Sequence, residues 1–150
     1  MSLRLAGPAR LGVGVFFASQ RCRFYSLPLP VEREGTELED LAKRKCKLCE
    51  GGVDPLTMEQ AAVLMDALHS AWTLDETAAS IERNFEFPAF SRTIAFVNAV
   101  AFIATNEGHH PDLNVTYGRC NVLYRTHAID GLSDNDFICA AKIDRLAEEL

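Results

Sequence analysis

The sequence predicts an α+β domain in the order helix, strand, strand, helix, strand, strand, helix: a four-stranded antiparallel sheet with three helices packed on one face. Three observations lead there. Apolar residues recur at helical spacing in 57–69, in 90–106 and again from 134 onward. Between these stretches lie two pairs of short segments whose side chains alternate in polarity, as in half-buried strands. Turn-forming residues interrupt each pair, so the members of a pair become antiparallel neighbours.

Ahead of this pattern the chain changes character. No acidic residue precedes Glu32, whereas Arg4, Arg10, Arg21 and Arg23 do. Those four arginines leave about −10 on the remainder, against −6 overall. A folded part that negative is expected to bind no nucleic acid. No apolar run is long enough to span a bilayer, so no membrane partner is expected and the mature protein is read as soluble. Arginine-rich and free of acids, residues 1–30 read as an organelle transit peptide, mitochondrial or alternatively plastid. A secretory signal is the minor reading, on the apolar stretch 11–18.

Residues 31–55 read as a charged linker, either a peripheral helix or a flexible lead-in, with Leu38 and Leu41 as its apolar material. It carries Cys46 and Cys49, half of a zinc-type or redox motif with no evident second half, against two incidental thiols. Residues 56–150 form the folded domain.

Thr57 with Gln60 three positions on is a capping box, and Ala61, Leu64, Met65 and Leu68 follow on one stripe. His69 falls at that helix's exposed end. Trp72 to Asp75 reads as a short strand, with the turn at Asp75, Glu76 and Thr77. Ile81, Arg83, Phe85 and Phe87 then alternate with Glu82, Asn84 and Glu86. In the second helix Phe90, Ile94, Val97, Ala101 and Ala104 make the stripe. Phe96, Val100, Phe102 and Ile103 widen it, which calls for cover on more than one side, including a second subunit. Gly108 is its left-handed stop.

That stop delivers His109 and His110 to a loop before Pro111 and Asp112. Val115 and Tyr117 alternate with Asn114 and Thr116, and after Gly118 a strand over 121–127 sets Val122, Tyr124 and Thr126 against Leu123, Arg125 and His127. Ser133 with Asp136 opens the last helix, whose buried side is Phe137, Ala140, Ala141, Ile143 and Ala147. Three of the four histidines thus meet around one loop. Imidazole titrates nearest neutrality, and on spacing alone an acid/base site, a zinc site and plain structural polarity all remain open. Asp112 and Asp136 are candidates to orient an imidazole, whereas Asp130 and Asp134 read as turn and cap residues.

Trp72, Phe85 to Phe87, Phe90, the Gly108-His109-His110-Pro111-Asp112 block, Tyr117, Thr126, His127, Gly131, Leu132, Asp136, Ala141 and Ile143 resemble the pterin-4a-carbinolamine dehydratases. The resemblance covers about Leu56 to the C-terminus, and is nearest to the organellar, plant-like members. It implies dehydration of 4a-hydroxytetrahydrobiopterin to a quinonoid dihydropterin, recycling the pterin cofactor of aromatic amino acid hydroxylases. It also implies a homodimer or homotetramer and no resident cofactor or metal. Carried onto this chain, His109, His110 and His127 are the catalytic residues. Trp72, Gly108, Pro111, Arg125, Thr126 and Asp136 join them in holding the pterin, Trp72 as an apolar wall and Asp136 through a supporting hydrogen bond. One departure stands out: where the family carries an acid four positions before the first histidine, this chain has Thr105, and Glu107 lies two positions away.

Overall fold

The computed structural model describes residues 37–47 and 54–149. The transit-peptide reading of 1–30 and the thiol of Cys49 lie outside the described residues. In chain order the elements are α1 (Glu37–Lys43), α2 (Met58–Met65), β1 (Thr73–Leu74), β2 (Ile81–Glu86), α3 (Phe90–Glu107), β3 (Asp112–Val115), β4 (Arg119–Tyr124) and α4 (Asp134–Glu148). The sheet is antiparallel in the order β1-β2-β4-β3, so the two hairpins join along β2 and β4.

Alternation along the strands fixes which face is covered. Ile81, Phe85, Cys120, Val122 and Tyr124 are buried, while Glu82, Asn84, Glu86 and Arg119 on the other face are exposed. The three expected helices are present, and α1 is a fourth. It answers the choice left open for the charged stretch: Leu41 is 2 % exposed and the helix packs on α4. Covered by α1, α3 and the sheet, α4 is buried on more than one side: Ile138 and Cys139 join Phe137, Ala140, Ala141 and Ile143 in the core.

Several boundaries and one stripe differ from the sequence expectation. Thr57 caps α2 and forms the full box with Gln60, but the α-helix stops at Met65. Bonds from Ala67 N–H to Leu64 O and Leu68 N–H to Met65 O tighten the chain, and Leu68 is still buried. The second expected strand pair also shortens: β3 ends at Val115, leaving Tyr117 in the turn, and β4 ends at Tyr124 instead of running to His127. In α3 the buried line is Thr93, Phe96, Val100 and Ala104, with Phe90 49 % and Phe102 68 % exposed. The expected line through Phe90, Ile94, Val97, Ala101 and Ala104 is rotated from it and meets it only at Ala104. Apolar residues lie all round this helix, so its periodicity did not single out one face. Thr93 is accommodated because its hydroxyl donates to the Tyr117 carbonyl at 2.9 Å.

Gly131 lies under the start of the domain. A Cβ there would come within 2.6 Å of Pro55 Cβ, and Leu56 N–H donates to Leu132 O at 2.9 Å beside it. The entry to α2 is thereby tied to the segment that precedes α4.

Candidate active site

Helix α3 ends where Gly108 takes a left-handed conformation, φ 64°, and both Gly108 and His109 return their N–H groups to the Ala104 carbonyl. This reversal turns His109 inward and leaves His110 outside. His109 is 7 % exposed, and its ring stacks nearly parallel on that of Tyr124, 5.7 Å between centroids. His110 is exposed.

The interior partner of His109 is Asp136, whose Oδ1 lies 2.7 Å from Nε2. Asp136 is fully buried at the third position of α4, where its other oxygen accepts from the Ser133 N–H at 2.7 Å and the Thr126 hydroxyl at 2.7 Å. A carboxylate only accepts hydrogen bonds, so Nε2 carries the proton. Burial alone would lower the His109 pKa, but the hydrogen bond and charge of Asp136 outweigh it and raise it above the ordinary histidine value.

His127 reaches the same place from a different element. Thr126 and Gly131 pair across a tight loop, Thr126 N–H donating to Gly131 O at 2.8 Å, and His127–Ile129 form a 3₁₀ turn inside it. The turn, not a strand end, presents His127. Its imidazole is 59 % exposed, 6.2 Å from the His110 ring and 3.8 Å from an Asp112 carboxylate oxygen. Arg125 pairs with Asp130, which closes the 3₁₀ turn at φ 52°.

Gly108, His109, His110, Arg125, Thr126, His127 and Ala128 line a cleft of about 170 Å³. Seven of the expected site residues are brought together: these first six and Asp136 directly behind His109. Pro111 is half-buried at the rim and is not among the lining residues. Trp72 is a correction. It is 3 % exposed in the core between Phe85 and Tyr124, its indole N–H donating to Asp144 at 2.8 Å, and it does not line the cleft. Trp72 lies just before β1, and a large aromatic with a buried hydrogen-bond partner serves packing there.

The acid near the helix end is also accounted for. Thr105 is exposed and bonds back to Ala101 O. Glu107 points away from the cleft and accepts from Lys45 Nζ and the Cys46 N–H, both at 3.0 Å. Its role is to hold the segment after α1. Tyr124, the platform under His109, reads from the sequence only as a strand residue on the face opposite His127. Among the described residues no three His, Cys, Asp or Glu side chains form a metal-holding group. No described helix is long and apolar enough to cross a membrane.

Known proteins resemble this chain over the region that carries the cleft. A putative pterin-4-alpha-carbinolamine dehydratase of Nitrosomonas eutropha is 54 % identical over 111 residues, 74 % of this chain and 96 % of the relative. One of Legionella pneumophila (strain Lens) is 50 % identical over 107 residues, 71 % of this chain and 95 % of the relative. The solved structure of a transcriptional coactivator/pterin dehydratase from Brucella melitensis aligns with TM-score 0.59 at 29 % identity, covering 63 % of this chain and 99 % of that one. Because the family model for pterin 4 alpha carbinolamine dehydratase matches residues 54–146, which contain the whole cleft, the chain belongs to that family.

Proposed function

We propose that the chain dehydrates a 4a-hydroxytetrahydropterin to the quinonoid dihydropterin and water, recycling the pterin cofactor of aromatic amino acid hydroxylases. The carbon–oxygen bond at C4a breaks, a proton joins the leaving hydroxyl, and a ring N–H gives up its proton so that its electron pair completes the new C=N bond. No electron leaves the substrate, so one acid and one base suffice. His109 is the acid: as the imidazolium it keeps its Nε2 proton on Asp136 and gives the proton on its other ring nitrogen to the leaving hydroxyl; His127 is the base; His110, opposite His127, holds and orients the ring. The two histidines then restore their protons through water. General acid/base groups of this kind each contribute about a hundred- to ten-thousand-fold.

The observation that carries this reading is the buried His109–Asp136 pair at the back of a cleft whose mouth holds two exposed imidazoles. The names of the relatives support the substrate class. Thr126 supports the site by bonding to Asp136, and Arg125 by lining the cleft. The protein works as a homo-oligomer through α3, a reading supported by the exposure of Phe90 and Phe102. The arginine-rich leader directs it to the mitochondrion, or alternatively the plastid, which a fluorescent fusion of residues 1–45 tests.

A second reading, an interaction scaffold with weak catalysis, draws on the same exposed face and on the coactivator description of the Brucella relative. Dehydration of a synthetic carbinolamine separates the two. The enzyme reading expects a rate well above the spontaneous one, cut by about a hundredfold or more in His127→Ala. A wild-type rate no greater than the spontaneous one leaves the scaffold.

A further inference from the structure

Cys46 and Cys139 are 93 positions apart in the chain and 3.6 Å apart at sulfur. Cys46 belongs to a short strap, residues 45–47, held on both sides of the thiol. Before it, Glu107 accepts from Lys45 Nζ and from the Cys46 N–H. After it, Asn135 accepts the Lys47 N–H at 3.0 Å and returns its own Nδ2–H to the Lys47 carbonyl at 2.7 Å. The strap's backbone is therefore fixed on α3 and α4, and the Cys46 thiol rests against Cys139 and the Asn135 carbonyl. Cys139 is fully buried in the first turns of α4.

A disulfide needs sulfurs about 2.05 Å apart on backbones that already approach. Two thiols in contact on anchored segments lack only about 1.5 Å, within reach of small side-chain rotations. We propose that Cys46 and Cys139 form a reversible disulfide that fastens the strap to α4. In the first step the half-buried Cys46, as thiolate, attacks a small disulfide oxidant, giving a mixed disulfide and releasing one thiol. Cys139 then attacks the Cys46 sulfur, forming the Cys46–Cys139 bond and releasing the second thiol. Two protein thiols lose two electrons and two protons, and one oxidant disulfide gains them.

Contact with Cys139 and burial hold the Cys46 thiol well above its ordinary pKa. The thiolate is the attacking species, so oxidation is slow. Cys120, fully buried on β4, serves as an internal control. Cys49, in the same local motif, is the rival partner for Cys46.

The test incubates the full chain with excess oxidised glutathione at mildly alkaline pH, blocks free thiols and maps tryptic peptides without reduction. Trypsin cuts at Lys47, between Cys46 and Cys49. The expected product is the peptide of Cys46 joined to that of Cys139, reversed by dithiothreitol and still formed in Cys49→Ser. Oxidised protein melts several degrees higher than reduced, because the bond closes a long loop. That rise is absent in Cys46→Ser, a half-buried position where the reduced fold tolerates the change. Recovery of Cys46 joined to Cys49 or to glutathione alone overturns the proposal, as does an oxidised form that melts no higher than the reduced one.

Discussion

His109 Nε2 lies 2.7 Å from Asp136 Oδ1, and the two side chains are 7 % and 0 % exposed. Asp136 thus does two jobs. It closes the first turn of α4 through Ser133 and holds the imidazole at the back of the cleft in one tautomer. Asp136→Asn keeps the shape and removes the charge. We expect dehydration to fall about a hundredfold or more. Stability should drop by about 3 kcal/mol, the usual scale for losing one partner of a buried pair. Urea titration and carbinolamine kinetics on the same preparation measure both.

The pair also makes stability depend on pH in a predictable direction. The folded His109 pKa is raised above its ordinary 6.5, so folding favours the protonated ring. That contribution is fully present below about pH 6.5 and is lost as pH rises through the folded value. Denaturant midpoints should therefore decline across that upper window in the wild type and decline less in His109→Gln. Equal slopes would contradict the raised pKa.

His110 and His127 make few contacts on which the fold depends, both being exposed. Replacing either by alanine should move stability by no more than about 0.5 kcal/mol. Their kinetic signatures should differ. His127→Ala lowers kcat, and His110→Ala raises KM with a smaller change in kcat, as expected of a group that holds the substrate equally in ground and transition states. Steady-state kinetics on the two variants checks the division of roles, and reversed signatures would exchange them.

The sequence showed the double hairpin because strand alternation and turn residues act locally, and Gly108 announced both the end of α3 and the reversal that separates His109 from His110. The histidine cluster and Asp136 were legible for the same reason, being close to caps and turns. Facing choices that depend on long-range packing were not. An all-round apolar α3 carries no local sign that Thr93 is in and Phe102 is out. Trp72 reads equally well as core or ligand wall until the Asp144 partner, 72 positions away, is in view. Glu107 carries no local sign of its role because Cys46 and Lys45, which bind it, lie 61 and 62 positions upstream.

That strap gives the protein an acid-sensitive fastening. Burial alone would raise the Glu107 pKa, but the Cys46 N–H, Lys45 and Lys142 outweigh it and hold the carboxyl below its ordinary 4.5. Stability from this group is present above about pH 4.5 and is lost as pH falls through the lower folded value. Glu107→Gln should be less stable than wild type at neutral pH and converge with it in acid. Protection of the Cys46 amide in hydrogen exchange should fall in the same variant.

Asp144 is 2 % exposed and gathers three donors: the Trp72 indole N–H at 2.8 Å, the His69 N–H at 2.9 Å and Arg83 at 2.5 Å. This ties β2 and the chain between α2 and β1 to α4. Trp72→Phe removes one donor and some volume while leaving Asp144 paired with Arg83, so a loss of about 2 kcal/mol is expected. Because Trp72 does not line the cleft, kcat and KM per folded molecule should be unchanged at a temperature where the variant is fully folded. A KM raised tenfold in a fully folded variant would return Trp72 to the substrate and overturn its assignment to the core.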